Sequence, residues 1–297
     1  MKKSKRRVFR GAATALITPF EHGRIDYIAL ERLIEGQIEA GIDALLINGT
    51  TGESSTLTNE ERREIIAFAV KTIGGRVPTL AGTGCNITES ALELSKFACD
   101  AGCDAVLVVT PYYNKASDAG LIEHFTTIAD GIDKPLILYN VPSRTGVNIP
   151  LSVYCELSKH ENIVGVKEAS ASISDLGMLS SKCGDSLAIY SGNDDMILPA
   201  LSLGGEGVIS VLSNLCPKEV KDICSLFYEG KVKEATELQL GLLPLIKALF
   251  CEVNPIPIKT AMAHLGLCRE EFRLPLCKMS DSNRQKLLDT MSDRGIK

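Results

Sequence analysis

The sequence predicts a (β/α)8 barrel followed by a short helical appendix, and three observations carry that expectation. Short β-branched runs recur eight times: "ATALIT", "ALLIN", "PTLAG", "AVLVVT", "PLILYN", "IVGVK", "LAIYSG" and "GVISV". They stand about 20–35 residues apart with amphipathic stretches between them, as successive strand–helix units do. No glycine fingerprint follows the first run, which leaves a doubly wound open sheet as the weaker alternative. Eight units completed by about residue 230 assign residues 1–230 to the barrel and 231–297 to the extension.

The intervening stretches justify themselves one by one. "DYIALERLIEGQIEA" places Ile28, Leu30, Leu33, Ile34 and Ile38 near helical period. Thr58 and Glu61 have the spacing of a capping box before "RREIIAFAV". Thr88 opens "ESALELSKFACDAG", with Gly102 placed to close the helix. Beyond about residue 230 the strand beat stops. "KVKEATELQLGLLPLIKALF" and "IPIKTAMAHLG" read as helices joined at "NPIP", a small appendix packed on the barrel rather than an independent domain.

Composition narrows the function. A net charge of −5 over 297 residues argues against a nucleic-acid surface, which carries a basic excess. Only the start, "MKKSKRRVFR", is strongly basic; the apolar stretch after it is short and ends at Pro19, so it reads as a solvated tail rather than a secretory signal. No run reaches the ~18 apolar residues of a membrane span. The ten cysteines include no Cys-x-x-Cys, and several sit in apolar or helical stretches, where cysteine behaves as a small hydrophobe in a reducing cytoplasm. His22, His124, His160 and His264 are scattered, so no protein-bound metal is expected.

In a parallel barrel the chemistry sits where strands end, and those ends are rich here. "NGTTGESS", "TPYYNK", "YNVPSRTG", "KEAS" and "SGND" follow runs two, four, five, six and seven. Lys167 closes the apolar run "NIVGVK"; taken alone it reads as a lysine that reaches outward or pairs with its neighbour Glu168 on the surface. Its rim neighbours point elsewhere. Gly49 to Glu53 form a tight turn with two hydroxyls, suited to a carboxylate or phosphate, or simply a glycine turn. Tyr112 and Tyr113 are candidates for half-buried packing. Tyr139 ends the adjacent strand at matched height, and Arg144 follows five residues later as a clamp for a carboxylate or as a surface charge. A buried lysine beside a phenol suggests imine chemistry. Desolvation favours the neutral amine that attacks a ketone, and the protonated imine is an electron sink for enamine formation.

"GTTGESSTL", "AGTG", "TPYYNK", "LYNVPSRTG", "GVKEAS" and "YSGND", in this order, resemble the dihydrodipicolinate synthase family of pyruvate-dependent class I aldolases, from about residue 8 to the C-terminal helices. The resemblance implies condensation of pyruvate with L-aspartate-4-semialdehyde in lysine and diaminopimelate biosynthesis. It implies a Schiff base on Lys167 and no separate cofactor. Tyr139, Thr51 and Tyr113 would relay protons, Tyr113 from a neighbouring subunit. Thr50 and Thr51 would hold the pyruvate carboxylate and Arg144 that of the semialdehyde; Gly192 and Ile209 would line the pocket. The assembly implied is a cytoplasmic homotetramer, a dimer of tight dimers. Arg144 separates this reading from the related sugar-acid lyases, and an intact relay separates it from a pyruvate-binding regulator that does no chemistry.

The family's lysine-inhibition site is matched incompletely. Ser54, Asn86 and Tyr112 agree with it. Asn59 and Arg62 stand where sensitive bacterial forms carry histidines, and Ser90 stands for the glutamate, with Glu89 one residue earlier. Weak or absent inhibition by L-lysine is the expectation.

Overall fold

A computed structural model describes residues 7–297. Eight parallel strands close into a barrel in sequential order: β1 (Gly11–Ala15), β2 (Ala44–Ile47), β3 (Thr79–Gly82), β4 (Ala105–Val109), β5 (Leu136–Asn140), β6 (Ile163–Glu168), β7 (Ala188–Ser191) and β8 (Gly207–Ser210). The eight runs read from sequence are these strands. Nearly every strand residue is buried, because one face fills the barrel and the other meets the helices. Closure brings β8 against β1 so tightly that a Cβ on Gly207 would lie 1.8 Å from the carbonyl oxygen of Gly11. Only glycine fits there.

The helices begin as their sequences dictate. Asp26 caps Tyr27–Glu39 by accepting from the backbone N–H of Ala29, and Thr58 and Glu61 form the reciprocal capping box of Asn59–Ile73. Ile28, counted among the apolar positions of the first helix, is 81% exposed and outside its buried stripe.

At the amino-terminal end of the barrel, Phe9 stacks on Tyr190 with ring centroids 4.2 Å apart and accepts its phenol hydrogen at the backbone carbonyl. Residues 1–6 of the basic start lie outside the described residues. Its remaining arginines are not free in solvent: Arg7 and Arg10 both pair with Glu206, and Arg10 lies over the Tyr228 ring.

After β8 and the helix Pro217–Tyr228 come three more helices, Val232–Leu249, Ile256–His264 and Asp281–Asp293. Leu245, Ile258, Met262 and Leu287 share one apolar cluster with Leu16, Phe20 and Leu212 of the barrel layer. That burial fixes the segment "NPIP" over the mouth of the barrel, where the next observations lie.

Candidate active site

Lys167 and Tyr139 are register partners on β6 and β5. Side chains alternate across a strand, so Lys167 points into the barrel, 5% exposed, with Nζ 4.5 Å from the centroid of the Tyr139 ring. Among the described residues no carboxylate forms an ion pair with it. Its sequence neighbour Glu168 is not its surface partner. That carboxylate points the other way, is 5% exposed, and accepts from Asn140 Nδ2, the Tyr154 hydroxyl and the backbone N–H of Ser170. Burial, reinforced by Glu168, pushes the Tyr154 phenol well above its ordinary value. The reason for the difference is topological: in a barrel the outward face of a strand meets helices, not water.

Gly192 follows β7 and presses on the lysine. A Cβ there would lie 2.6 Å from that of Ala169 and 3.2 Å from Lys167 Cε, so the glycine leaves room for the aliphatic stem. Ile209 is fully buried on β8 within the barrel interior. Asp194, two residues after Gly192, is 2% exposed and accepts from the backbone N–H groups of Val211 and Leu212. Burial raises its pKa; the Ser210 hydroxyl, those N–H groups and the charge of Lys167 oppose the rise.

The glycine–threonine turn leaves β2, four strands from β6 around the barrel. Thr51 is 2% exposed and its hydroxyl accepts from Asn254 Nδ2 at 3.1 Å. The backbone carbonyl of the same Asn254 accepts from Arg144 Nη2, also at 3.1 Å. Asn254 lies in "NPIP", is 6% exposed, and its own Oδ1 has no partner among the described residues. One residue of the extension thus joins two of the expected site residues. Below it, Lys259 and Glu53 form an ion pair with both side chains fully buried, Lys259 lying over the Phe20 ring. Burial pulls the Lys259 ammonium below the usual lysine value against the opposing charge of Glu53.

A match to the model of the dihydrodipicolinate synthetase family spans residues 8–294. The chain belongs to the dihydrodipicolinate synthetase family. Within it, the chain is 49% identical over 289 residues to the 4-hydroxy-tetrahydrodipicolinate synthase of Alkaliphilus oremlandii, covering 97% of this chain and all of that one. The crystal structure of the Aquifex aeolicus dihydrodipicolinate synthase superposes with a TM-score of 0.95 at 46% identity, covering 97% of this chain and 99% of that one. That of the Acinetobacter baumannii enzyme complexed with pyruvate does so at 0.95 and 39%, with 97% and 99% covered.

Against the residues expected for this family, the structure brings Lys167, Tyr139, Gly192 and Ile209 to one interior, and links Thr51 to Arg144 through Asn254. Tyr113 stands apart: it is 93% exposed with φ of 71°, turned outward from its own barrel. Of the residues expected at a regulatory site, Ser54 and Tyr112 line one cavity, and the Tyr112 phenol meets the backbone of Asn86. Asn59 is exposed on the first turn of its helix and does not line that cavity. Sequence reasoning missed Asn254, Lys259 and Asp194. Asp194 lay inside the quoted "SGND"; the other two gave only the signal of polar residues in an apolar appendix.

Proposed function

We propose that this chain condenses pyruvate with L-aspartate-4-semialdehyde to 4-hydroxy-tetrahydrodipicolinate, a step of lysine and diaminopimelate biosynthesis, through a Schiff base on Lys167. The observation that carries the reading is Lys167 itself, buried, unpaired with any carboxylate among the described residues and set against the face of Tyr139. The names of the relatives support the choice of reaction.

The neutral amine of Lys167 attacks the ketone carbon of pyruvate, and water leaves as the imine forms. Protonation of the imine nitrogen draws electrons from the methyl group, which loses a proton to give the enamine. The enamine carbon attacks the aldehyde, whose oxygen takes up a proton. The amino group of the second substrate then adds to the imine carbon, closing the ring and releasing Lys167 as the free amine. Tyr139 moves protons at the lysine. Thr50 and Thr51 hold the pyruvate carboxylate, and Arg144 takes the carboxylate of the semialdehyde as a fork. Tyr113, exposed on its own chain, completes the relay of a second copy within a tight dimer, and two such dimers make the tetramer.

Treatment with pyruvate and borohydride should fix one pyruvate, less one water and plus two hydrogens, on Lys167, and the enzyme should turn over with added semialdehyde. An adduct on another residue defeats the imine assignment. Faster cleavage of a sugar acid than condensation assigns the chain to the lyase side of the superfamily.

A further inference from the structure

Asn140 ends β5 one residue after Tyr139, and its register partner on β6 is Glu168, one residue after Lys167. Side chains alternate across a strand. Tyr139 and Lys167 therefore face the barrel interior, and Asn140 and Glu168 lie back to back with them, 1% and 5% exposed. Asn140 Nδ2 donates to Asn148 Oδ1 at 2.7 Å and to both carboxylate oxygens of Glu168 at 3.0 Å. Its Oδ1 accepts from the backbone N–H of Ile149 at 3.1 Å. Both ends of the amide are in use.

These bonds reach separate parts of the site. The bond to Glu168 ties β5 to β6 one step from the reacting lysine. The backbone carbonyl of Glu168 accepts in turn from the N–H of Gly192 at 2.7 Å, so the glycine that packs on the Lys167 stem hangs from the same residue. The bonds to Asn148 and Ile149 close the base of the excursion 141–148. Within it Pro142–Thr145 forms a helical turn, and the Thr145 hydroxyl meets the carbonyls of Val141 and Val147. Arg144 rides on that excursion. Aspartate in place of Asn140 would set a second carboxylate against Glu168. Leucine would deprive Glu168 of a donor and strand the N–H of Ile149.

We propose that Asn140 is a positioning residue of the reaction. Through Glu168 it sets the separation of Tyr139 and Lys167, and through the base of the excursion it sets the direction of Arg144. One buried amide thus holds the groups for both substrates in a common frame from behind the strand. The proposal rests on the reading of Lys167 as the imine lysine. A displacement of about 1 Å between reacting groups costs about a hundredfold in rate, so an amide that faces away from the interior still governs turnover.

Asn140→Asp is the first variant, read as the rate of imine formation at saturating pyruvate, trapped on Lys167 by borohydride. The rate should fall by about tenfold or more. Two carboxylates in contact bind a proton readily, so the ratio to wild type should recover as pH is lowered from about 8 to about 6. The swap of Asn140→Asp with Glu168→Gln restores one amide and one carboxylate across the strands and should recover most of the rate. Asn148→Ala, at an exposed position, removes only the contact to the excursion and serves if Asn140→Asp does not fold. Its imine formation should stay within about twofold of wild type while KM for the semialdehyde rises by about threefold or more. A lowered Tm with unchanged kinetics in Asn140→Asp, a swap no faster than the single variant, or a wild-type semialdehyde KM in Asn148→Ala overturns the proposal. No adduct on Lys167 in the wild type defeats the imine reading itself.

Discussion

Lys259 and Glu53 meet as a fully buried ion pair that fastens the carboxyl-terminal extension to the loop carrying Thr50 and Thr51. Removing one partner strands the other charge in the core. Lys259→Met should therefore cost on the order of 3–5 kcal/mol, read as the urea unfolding midpoint. Adding Glu53→Gln should recover much of the loss, because the uncompensated carboxylate goes. A single variant as stable as wild type would show that the pair holds nothing.

Asn254 gives a second handle on the same junction. Asn254→Ala deletes the amide that bonds the Thr51 hydroxyl and loosens the segment whose carbonyl holds Arg144. Neutral hydrogen bonds contribute about 1 kcal/mol each and charge-assisted ones more, so kcat/KM should fall by about tenfold to a hundredfold. Pyruvate KM should rise, because Thr51 loses its anchor. A lowered Tm with unchanged kinetics would make Asn254 a packing residue only.

Arg144 tests the division of labour between the substrates. It is exposed and contacts the barrel mouth through Asn254. Arg144→Ala should leave the pyruvate–Lys167 adduct forming under borohydride, while condensation falls by about a hundredfold or more. Loss of both together would move the arginine's role to pyruvate.

The buried His124 sets a limb of the acid stability profile. Its Nδ1 meets Thr88 Oγ1 at 2.9 Å, its Nε2 has no partner among the described residues, and burial pulls its pKa from 6.5 down to about 4. Between those values the unfolded chain binds more protons than the folded one, so stability rises with pH across the window. The contribution is complete above about pH 6.5, is lost as pH falls toward about 4, and amounts to at most about 3 kcal/mol. His124→Gln should flatten that limb in urea unfolding measured from pH 4 to 7. An unchanged slope would mean that the ring is already accommodated as a cation.

Periodicity made the strands legible, and a barrel places every strand end on one rim, so Lys167, Tyr139, Thr51 and Arg144 could be assembled from sequence alone. What escaped was set by packing angles. Asn254 and Lys259 reach Thr51 and Glu53 across more than 200 residues, and no local pattern encodes that meeting. Cys155 and Cys183 likewise bring their sulfurs to 3.5 Å from 28 residues apart. The placement of Glu168 was recoverable: alternation along β6 sends it away from Lys167, and burial of both strand faces denies it solvent.

The junction at Asn254 also bears on the order of synthesis. A nascent chain that has released β8 possesses every strand of the barrel and all four of Lys167, Tyr139, Thr51 and Arg144. It still lacks the amide that steadies Thr51 and the ammonium that neutralises Glu53. The cavity around Lys167 is therefore finished only when residues 254 to 259 have left the ribosome, and a chain stopped short of them carries Lys167 in an unlocked pocket.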